Sequence, residues 1–143
     1  MVTKISFHIL DNAPSTKARD LYACRLVAEA YDNGKKVHIQ TTDETAAQSF
    51  DLTLWTFNDI AFIPHQICTT ITNDQLVSIS YGDNHSSGDV LINLTQDIPS
   101  FYQNFEQILE IIPNDEVLKS AGRRRYKTYQ QNNLVVETFK VAK

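Results

Sequence analysis

The hydrophobic period of this chain switches repeatedly between that of a strand and that of a helix, and the alternation begins at once. "KISFHIL" (residues 4–10) is a short apolar run of strand type that ends at Asp11-Asn12. "STKARDLYACRLVAEAYDNGKK" follows, with Leu21, Cys24, Val27, Ala28 and Tyr31 at helical spacing. Ser15 or Thr16 is placed to cap that helix, and Asn33-Gly34 to stop it. "KVHIQ" is strand-like again. Thr41-x-x-Glu44 then has capping-box spacing before a helix through Phe50 and Leu54. Strand, helix, strand, helix is the pattern of an α/β fold: a mostly parallel central sheet flanked by helices.

The second half continues in the same manner. "IAFIP" reads as a third strand, ended or forced to an edge by Pro64. "QLVSISY" and "DVLINL" read as two more, around the polar loop "GDNHSSG". Ser100 is placed to cap a helix carrying Phe101, Phe105, Ile108 and Leu109. Pro113 disfavours helix at Ile112, so a short extended stretch is expected there. Asn114 is the expected cap of a last helix, with Asp115 and Glu116 at its positive end, and "NNLVVETF" the expected edge strand. With 143 residues and no composition break, one domain over residues 1–143 is expected. No apolar run reaches membrane-spanning length, the N-terminus lacks a long apolar signal region, and Cys24 and Cys68 sit far apart in apolar settings. A cytoplasmic protein without disulfides and without a membrane partner is the expectation.

The strand-to-helix start invites a nucleotide fold, but the turn "LDNAPSTKA" holds no glycine, so no phosphate loop of either common kind is present. "DNHSSGD" imitates a calcium loop, with Asp83 first and Gly88 sixth, yet its twelfth position is Leu94 where a bidentate Glu is needed. No histidine pair has zinc spacing, no nucleophile elbow occurs, and Cys24 lies on an apolar stripe as a packed thiol would. No catalytic set, cofactor site or metal site is expected.

Charge is distributed very unevenly. Residues 1–118 carry 6 Lys or Arg against 16 Asp or Glu, a formal −10, and residues 37–118 hold no Lys or Arg at all. Residues 119–143 carry 7 against one, a formal +6. The cations concentrate in "SAGRRRYKTYQQNN" (120–133). At about 100° per residue, Val117, Leu118, Ala121 and Tyr129 share the core-facing arc, and Arg125 falls in its middle. Arg125 is therefore expected to be structural, its stem packed and its guanidinium paired. Lys119, Arg123, Tyr126, Lys127 and Gln130 fall opposite, with Arg124 at the boundary. A solvated face is the ordinary meaning of a charge run. Here no acid within the helix follows to neutralise the row, and crowded like charges favour a visiting anion. A second feature is the aromatic stretch "LTLWTFNDIAFIPHQ". Its Trp55 and Phe62, each expected at the end of an element, suit an interface, while Phe57 suits the core.

"FHILDN", "AYDNGKKVHI", Trp55 followed by "FIPH" at 62–65, "DVLINL" and above all "IIPNDEVLKSAGRRRYKTYQ" at 111–130 together resemble the chi subunit of bacterial DNA polymerase III, over nearly the whole chain. The resemblance implies a nucleotide-binding-like α/β domain that is not an enzyme. It implies an accessory subunit that grips the acidic C-terminal tail of single-stranded DNA-binding protein and joins the clamp loader through the psi subunit, meeting DNA only indirectly. Carried over by motif, Arg123, Tyr126 and Lys127 form the tail site, with Lys119 and Ile112 beside it, and Trp55 and Phe62 face psi. The chain departs from the family in Arg124, an extra cation at a variable position, in residues 84–88, which lack basic side chains, and in "NNLVVETFKVAK", which matches loosely. The competing functions are direct nucleic-acid binding through the basic helix and an enzyme with an unrecognised pocket. The acidity of residues 37–118 weighs against the first.

Overall fold

The computed structural model describes residues 3–10, 15–56, 66–67, 77–82 and 88–141. Among the described residues seven strands form one sheet in which every pairing is parallel: β1 (Lys4–Leu10), β2 (Val37–Thr41), β3 (Gln66–Ile67), β4 (Val77–Tyr81), β5 (Gly88–Asn93), β6 (Phe105–Pro113) and β7 (Val135–Val141). Their order across the sheet is β3-β4-β2-β5-β6-β1-β7. The helices are α1 (Thr16–Asp32), α2 (Glu44–Thr56) and α3 (Glu116–Gln131), with a 3₁₀ turn at Tyr102–Asn104.

The two faces of the sheet are covered differently. On one face α1 and α2 pack on each other and on the odd residues of β2 and β4, such as Val37, Ile39, Val77 and Ile79. Leu109 and Ile111 of β6 join this core. On the other face α3 lies over Ile5 and Phe7 of β1 and Ile108 and Ile112 of β6, through Tyr129. Phe101 and Phe105 extend that cluster toward β2, where Phe105 stacks on His38 and Phe101 meets it edge-on, each at a ring distance of 6.0 Å. The strand-like readings of 4–10, 36–40, 75–81 and 89–94 match β1, β2, β4 and β5 to within a residue or two where the residues are described, and the edge position of β7 matches the fold, as do α1 capped by Ser15 and α2.

Several expectations do not hold. The segment expected to be a helix from Ser100 through Leu109 is a short 3₁₀ turn and then β6, a nine-residue strand between β5 and β1. Phe105, Ile108 and Leu109 of this strand, with Phe101 before it, fall at helical spacing by coincidence. The β-branched Ile108, Ile111 and Ile112 favour the extended form. The cap of α2 is Asp43, whose carboxylate accepts from Ala46 N at 2.8 Å, while the Thr41 hydroxyl donates to Ser80 O at 2.9 Å. The cap of α3 is Asp115 rather than Asn114: its Oδ1 accepts from Leu118 N at 3.1 Å. Leu21 is exposed instead of buried, with Ala23 taking its place in the core beside Cys24 and Val27. Val117, expected in the core, is 67% exposed, because the first turn of α3 lies just beyond the connection from β6. The expected strand "IAFIP", Phe57, Pro64, Cys68, the 11–14 turn and the 83–87 loop lie outside the described residues.

On the α3 face, β2 and β4 carry a buried polar row. Ser80 Oγ donates to Gln40 Oε1 at 2.9 Å, so it accepts from His38 Nε2 at 2.8 Å, and His38 Nδ1 is left to accept from the Ser78 hydroxyl at 2.8 Å. Burial pulls the His38 pKa down to about 4, so the ring is neutral at pH 7. Because the unfolded chain takes up this proton near pH 6.5 and the folded one near 4, stability is fully present above 6.5 and is lost as pH falls between the two. The loss amounts to about 3 kcal/mol. Urea unfolding at pH 7 and pH 4.5 is expected to show it, and His38→Gln should flatten the acid limb. An acid limb of unchanged steepness in that variant would locate the effect elsewhere.

Candidate functional site: a cationic groove between the last helix and the sheet

The last helix is seated by one buried carboxylate. Glu110 of β6 is fully buried and faces α3. Its Oε1 accepts from Arg125 Nε at 3.1 Å; its Oε2 accepts from the Tyr129 hydroxyl at 2.8 Å and from Asn93 Nδ2 at 2.9 Å. Arg125, 7% exposed, also donates through Nη1 to Gln96 O at 3.0 Å. The expectation from helical angle that Arg125 is structural therefore holds. Burial pushes the Glu110 carboxyl up, and the Arg125 guanidinium, the Asn93 amide and the Tyr129 hydroxyl pull it back. Three donors and no acceptor address it, which is the arrangement of an ionised carboxylate. Burial and the same carboxylate push the Tyr129 hydroxyl well above the usual phenol range. Glu110 is not legible as an anchor in the sequence, because the helical spacing of Phe101, Phe105, Ile108 and Leu109 disguises its strand.

A second contact sets how near α3 lies. Gly122 is in the helix interior, where glycine costs about 1 kcal/mol relative to alanine. A Cβ there would stand 2.8 Å from Ile112 Cδ1 and 3.3 Å from Ile112 Cγ1. Close approach of helix to strand is what the glycine permits.

Beside this contact a groove of about 410 Å³ opens, lined by Phe7, Ile9, Ile112, Lys119, Gly122, Arg123, Tyr126 and Thr138. Its floor is apolar and comes from β1 and β6; α3 supplies one bank. The Tyr126 ring packs edge-on against Phe7, centroids 5.3 Å apart. Of the five residues expected at the tail site, Ile112, Lys119, Arg123 and Tyr126 come together here. Lys127 is exposed one turn past Arg123 and does not line the groove. Among the described residues the ion pairs are Lys4–Glu137, Arg19–Asp20 and Arg125–Glu110, so none ties up Lys119, Arg123, Arg124 or Lys127. Phe7, Ile9 and Thr138 were missed. The alternation of β1 places Phe7 and Ile9 on one side, but only the strand order puts that side under α3.

Two further hollows differ in charge. One, about 440 Å³, lies past the ends of β2, β4 and β5 and is lined by residues including Gln40, Thr42, Thr95, Asp97 and Ser100, with no Lys or Arg in its lining. The other, about 420 Å³, mixes Lys4 and Lys35 with Glu29 and Glu137. Elsewhere, Trp55 is 41% exposed near the end of α2, with exposed Leu52 one turn before it. Phe62 lies outside the described residues. Cys24 is buried, and burial pushes its thiol up to about 12, so it is inert rather than nucleophilic.

The Glu110–Arg125 pair has a direct test. Arg125→Met leaves a buried carboxylate without its counter-charge and is expected to cost about 3–5 kcal/mol by urea unfolding. Glu110→Leu together with Arg125→Met should recover much of that loss. A cost below about 1 kcal/mol for the single change would show that the pair does not seat the helix.

The family model described as DNA polymerase III chi subunit, HolC, matches residues 2–137. The chain is 35% identical over 130 residues to the DNA polymerase III subunit chi of Haemophilus influenzae, covering 89% of this chain and 90% of that one. It is 29% identical over 143 residues to that of Pseudomonas aeruginosa, covering 98% of each. It is 30% identical over 131 residues to that of Escherichia coli, covering 87% of this chain and 89% of that one. The protein therefore belongs to the family of DNA polymerase III chi subunits, and DNA replication is the process it serves.

Proposed function

We propose that the chain is a non-catalytic accessory subunit that holds the acidic C-terminal tail of single-stranded DNA-binding protein in the α3 groove. The psi subunit, bound at the surface around Trp55 and Phe62, connects it to the clamp loader. One observation carries the reading: an apolar floor and cations that form no ion pair among the described residues share one concavity, with Ile112, Tyr126, Lys119 and Arg123 in its lining. A tail of this kind is acidic and ends in an aromatic residue with a free carboxylate. Its ring fits over Ile112 and Phe7, and its carboxylate is within the province of the Arg123 guanidinium, which can bind it with two donors. Lys127 and Arg124, outside the groove, suit the preceding acidic residues.

Two charge-assisted hydrogen bonds at about 1.5–3 kcal/mol each and a buried ring at about 1.5–3 kcal/mol give a modest gross energy. Ordering the tail removes part of it. A micromolar, salt-sensitive complex of roughly −8 kcal/mol is the natural scale, and several tails on one oligomer raise avidity.

Direct binding of single strands through the basic helix has less support. Arg125 is withdrawn into the interior and Lys119 and Arg123 border an apolar groove, which leaves a short cationic row and not a continuous backbone track. In calorimetry with a tail peptide, Arg123→Ala is expected to weaken binding by about tenfold or more with the fold intact. Unchanged affinity removes the assignment. Trp55→Ala or Phe62→Ala should impair copurification with psi and spare the tail; normal recovery of psi with both variants would place that interface elsewhere.

A further inference from the structure

The groove has a second bank that its helix does not supply. In the sheet register Ile9 of β1 pairs with Ile112 of β6 on one side and with Lys140 of β7 on the other. The three residues form a row across the strands at one level, and Gly122 of α3 lies over the Ile112 end of it. Thr138 of β7 lines the groove, and side chains two apart on a strand share a face, so Lys140 stands on the same face as Thr138. It is exposed, and two strand spacings, about 10 Å, separate its backbone from that of Ile112. Among the described residues it forms no ion pair. The neighbouring acid of β7, Glu137, is on the opposite face and is bound to Lys4 at 3.2 Å. Asp115, four residues before Lys119, is committed to the α3 cap, and Glu116, three residues before it, forms no ion pair with Lys119 among the described residues.

We infer that Lys140 is an anion-binding residue and that the groove is a two-sided clamp: Lys119 and Arg123 on the helix bank, Lys140 on the strand bank. An acidic peptide threads between them with its terminal ring on the floor. The inference rests on the tail-binding reading and adds to it a contact for the acidic side chains that precede the terminus. The usual duty of an edge lysine is to discourage pairing with another strand, which would require no ligand.

The two duties separate in a peptide experiment. Two fluorescein-labelled synthetic decapeptides are compared by anisotropy at low salt. Both end in a free C-terminal Phe, one with Asp at the preceding polar positions and one with Asn there. Lys140→Ala is expected to weaken the Asp peptide by about threefold to fivefold, the scale of a partly exposed ion pair, and to leave the Asn peptide unchanged. Lys140→Glu should weaken the Asp peptide further. Arg123→Ala should weaken both peptides, since both carry the terminal carboxylate. The melting temperature of each variant, expected to match that of the parent, serves as the fold control. If Lys140→Ala leaves the Asp peptide at parental affinity, or weakens both peptides alike, while Arg123→Ala is impaired, the second bank is refuted and the tail reading stands. If Arg123→Ala also binds normally, both fall together.

Discussion

The pairing of the Glu110 carboxylate with the Arg125 guanidinium decides where the last helix sits, and the groove exists only because of where that helix sits. Side chains at 123 and 126 leave the helix about 160° and about 100° away from position 125, so a helix anchored through Arg125 turns Arg123 outward and Tyr126 to the side. Tyr129, one turn on, ties the same carboxylate from a second point, which fixes rotation about the helix axis as well as height. Such a pair is poor evidence of stability, because desolvating two ions offsets most of their attraction. Its worth lies in what it excludes. A helix turned by one residue would bury a different side chain and leave a bare carboxylate in the interior.

The groove also follows from topology. A crossover from β6 to β7 must pass over β1, since β1 lies between them. α3 runs back antiparallel to the strands, as a connection between parallel strands must. It contacts β6 and β7 and leaves part of the sheet surface between them uncovered, so Ile9 and Thr138 remain beside it as floor and far wall. The opposite face, where two helices pack on an apolar surface, carries the larger apolar core. The asymmetry extends to the polar row at His38, which the α3 face tolerates because every donor and acceptor in it has a partner.

Much of this was legible in the sequence, for physical reasons that differ from element to element. β1 and α1 alternate between buried and exposed positions, and β2 is a short apolar run closed off by turn residues, so period and caps speak clearly. β6 reads FEQILEIIP, and the accidental helical spacing of its apolar residues outweighs three β-branched ones. That spacing conceals Glu110, since a carboxylate at the end of a helix needs no explanation and one in a central strand demands it. Arg125 was legible because an arginine on an apolar arc has few ways to exist. Lys119, Arg123 and Tyr126 were legible through the helix and the family motif, whereas Phe7, Ile9 and Thr138 reach the groove only through the strand order, which no local pattern encodes.

The α3 side of the molecule gathers features that a fold optimised for stability alone would avoid. Gly122 sacrifices about 1 kcal/mol of helix propensity. Two cations, Lys119 and Arg123, line one concavity and form no ion pair among the described residues, and an ion pair is buried where an apolar pair would serve. The sequence concentrates these in residues 110–140, while residues 37–56, with no cation at all, contribute apolar residues to the opposite core. Segregating the charge in this way gives the Tyr126 and Trp55 regions opposite electrostatic character. The Tyr126 region, with Lys119 and Arg123 beside it, suits acidic segments. Around Trp55 the helix end has no basic residue in its last turn, and Asp51 lies one turn before it, so an acidic segment is disfavoured there. Two apolar surfaces on one small domain can thus sort their partners by charge, without either needing a shape that excludes the other's ligand.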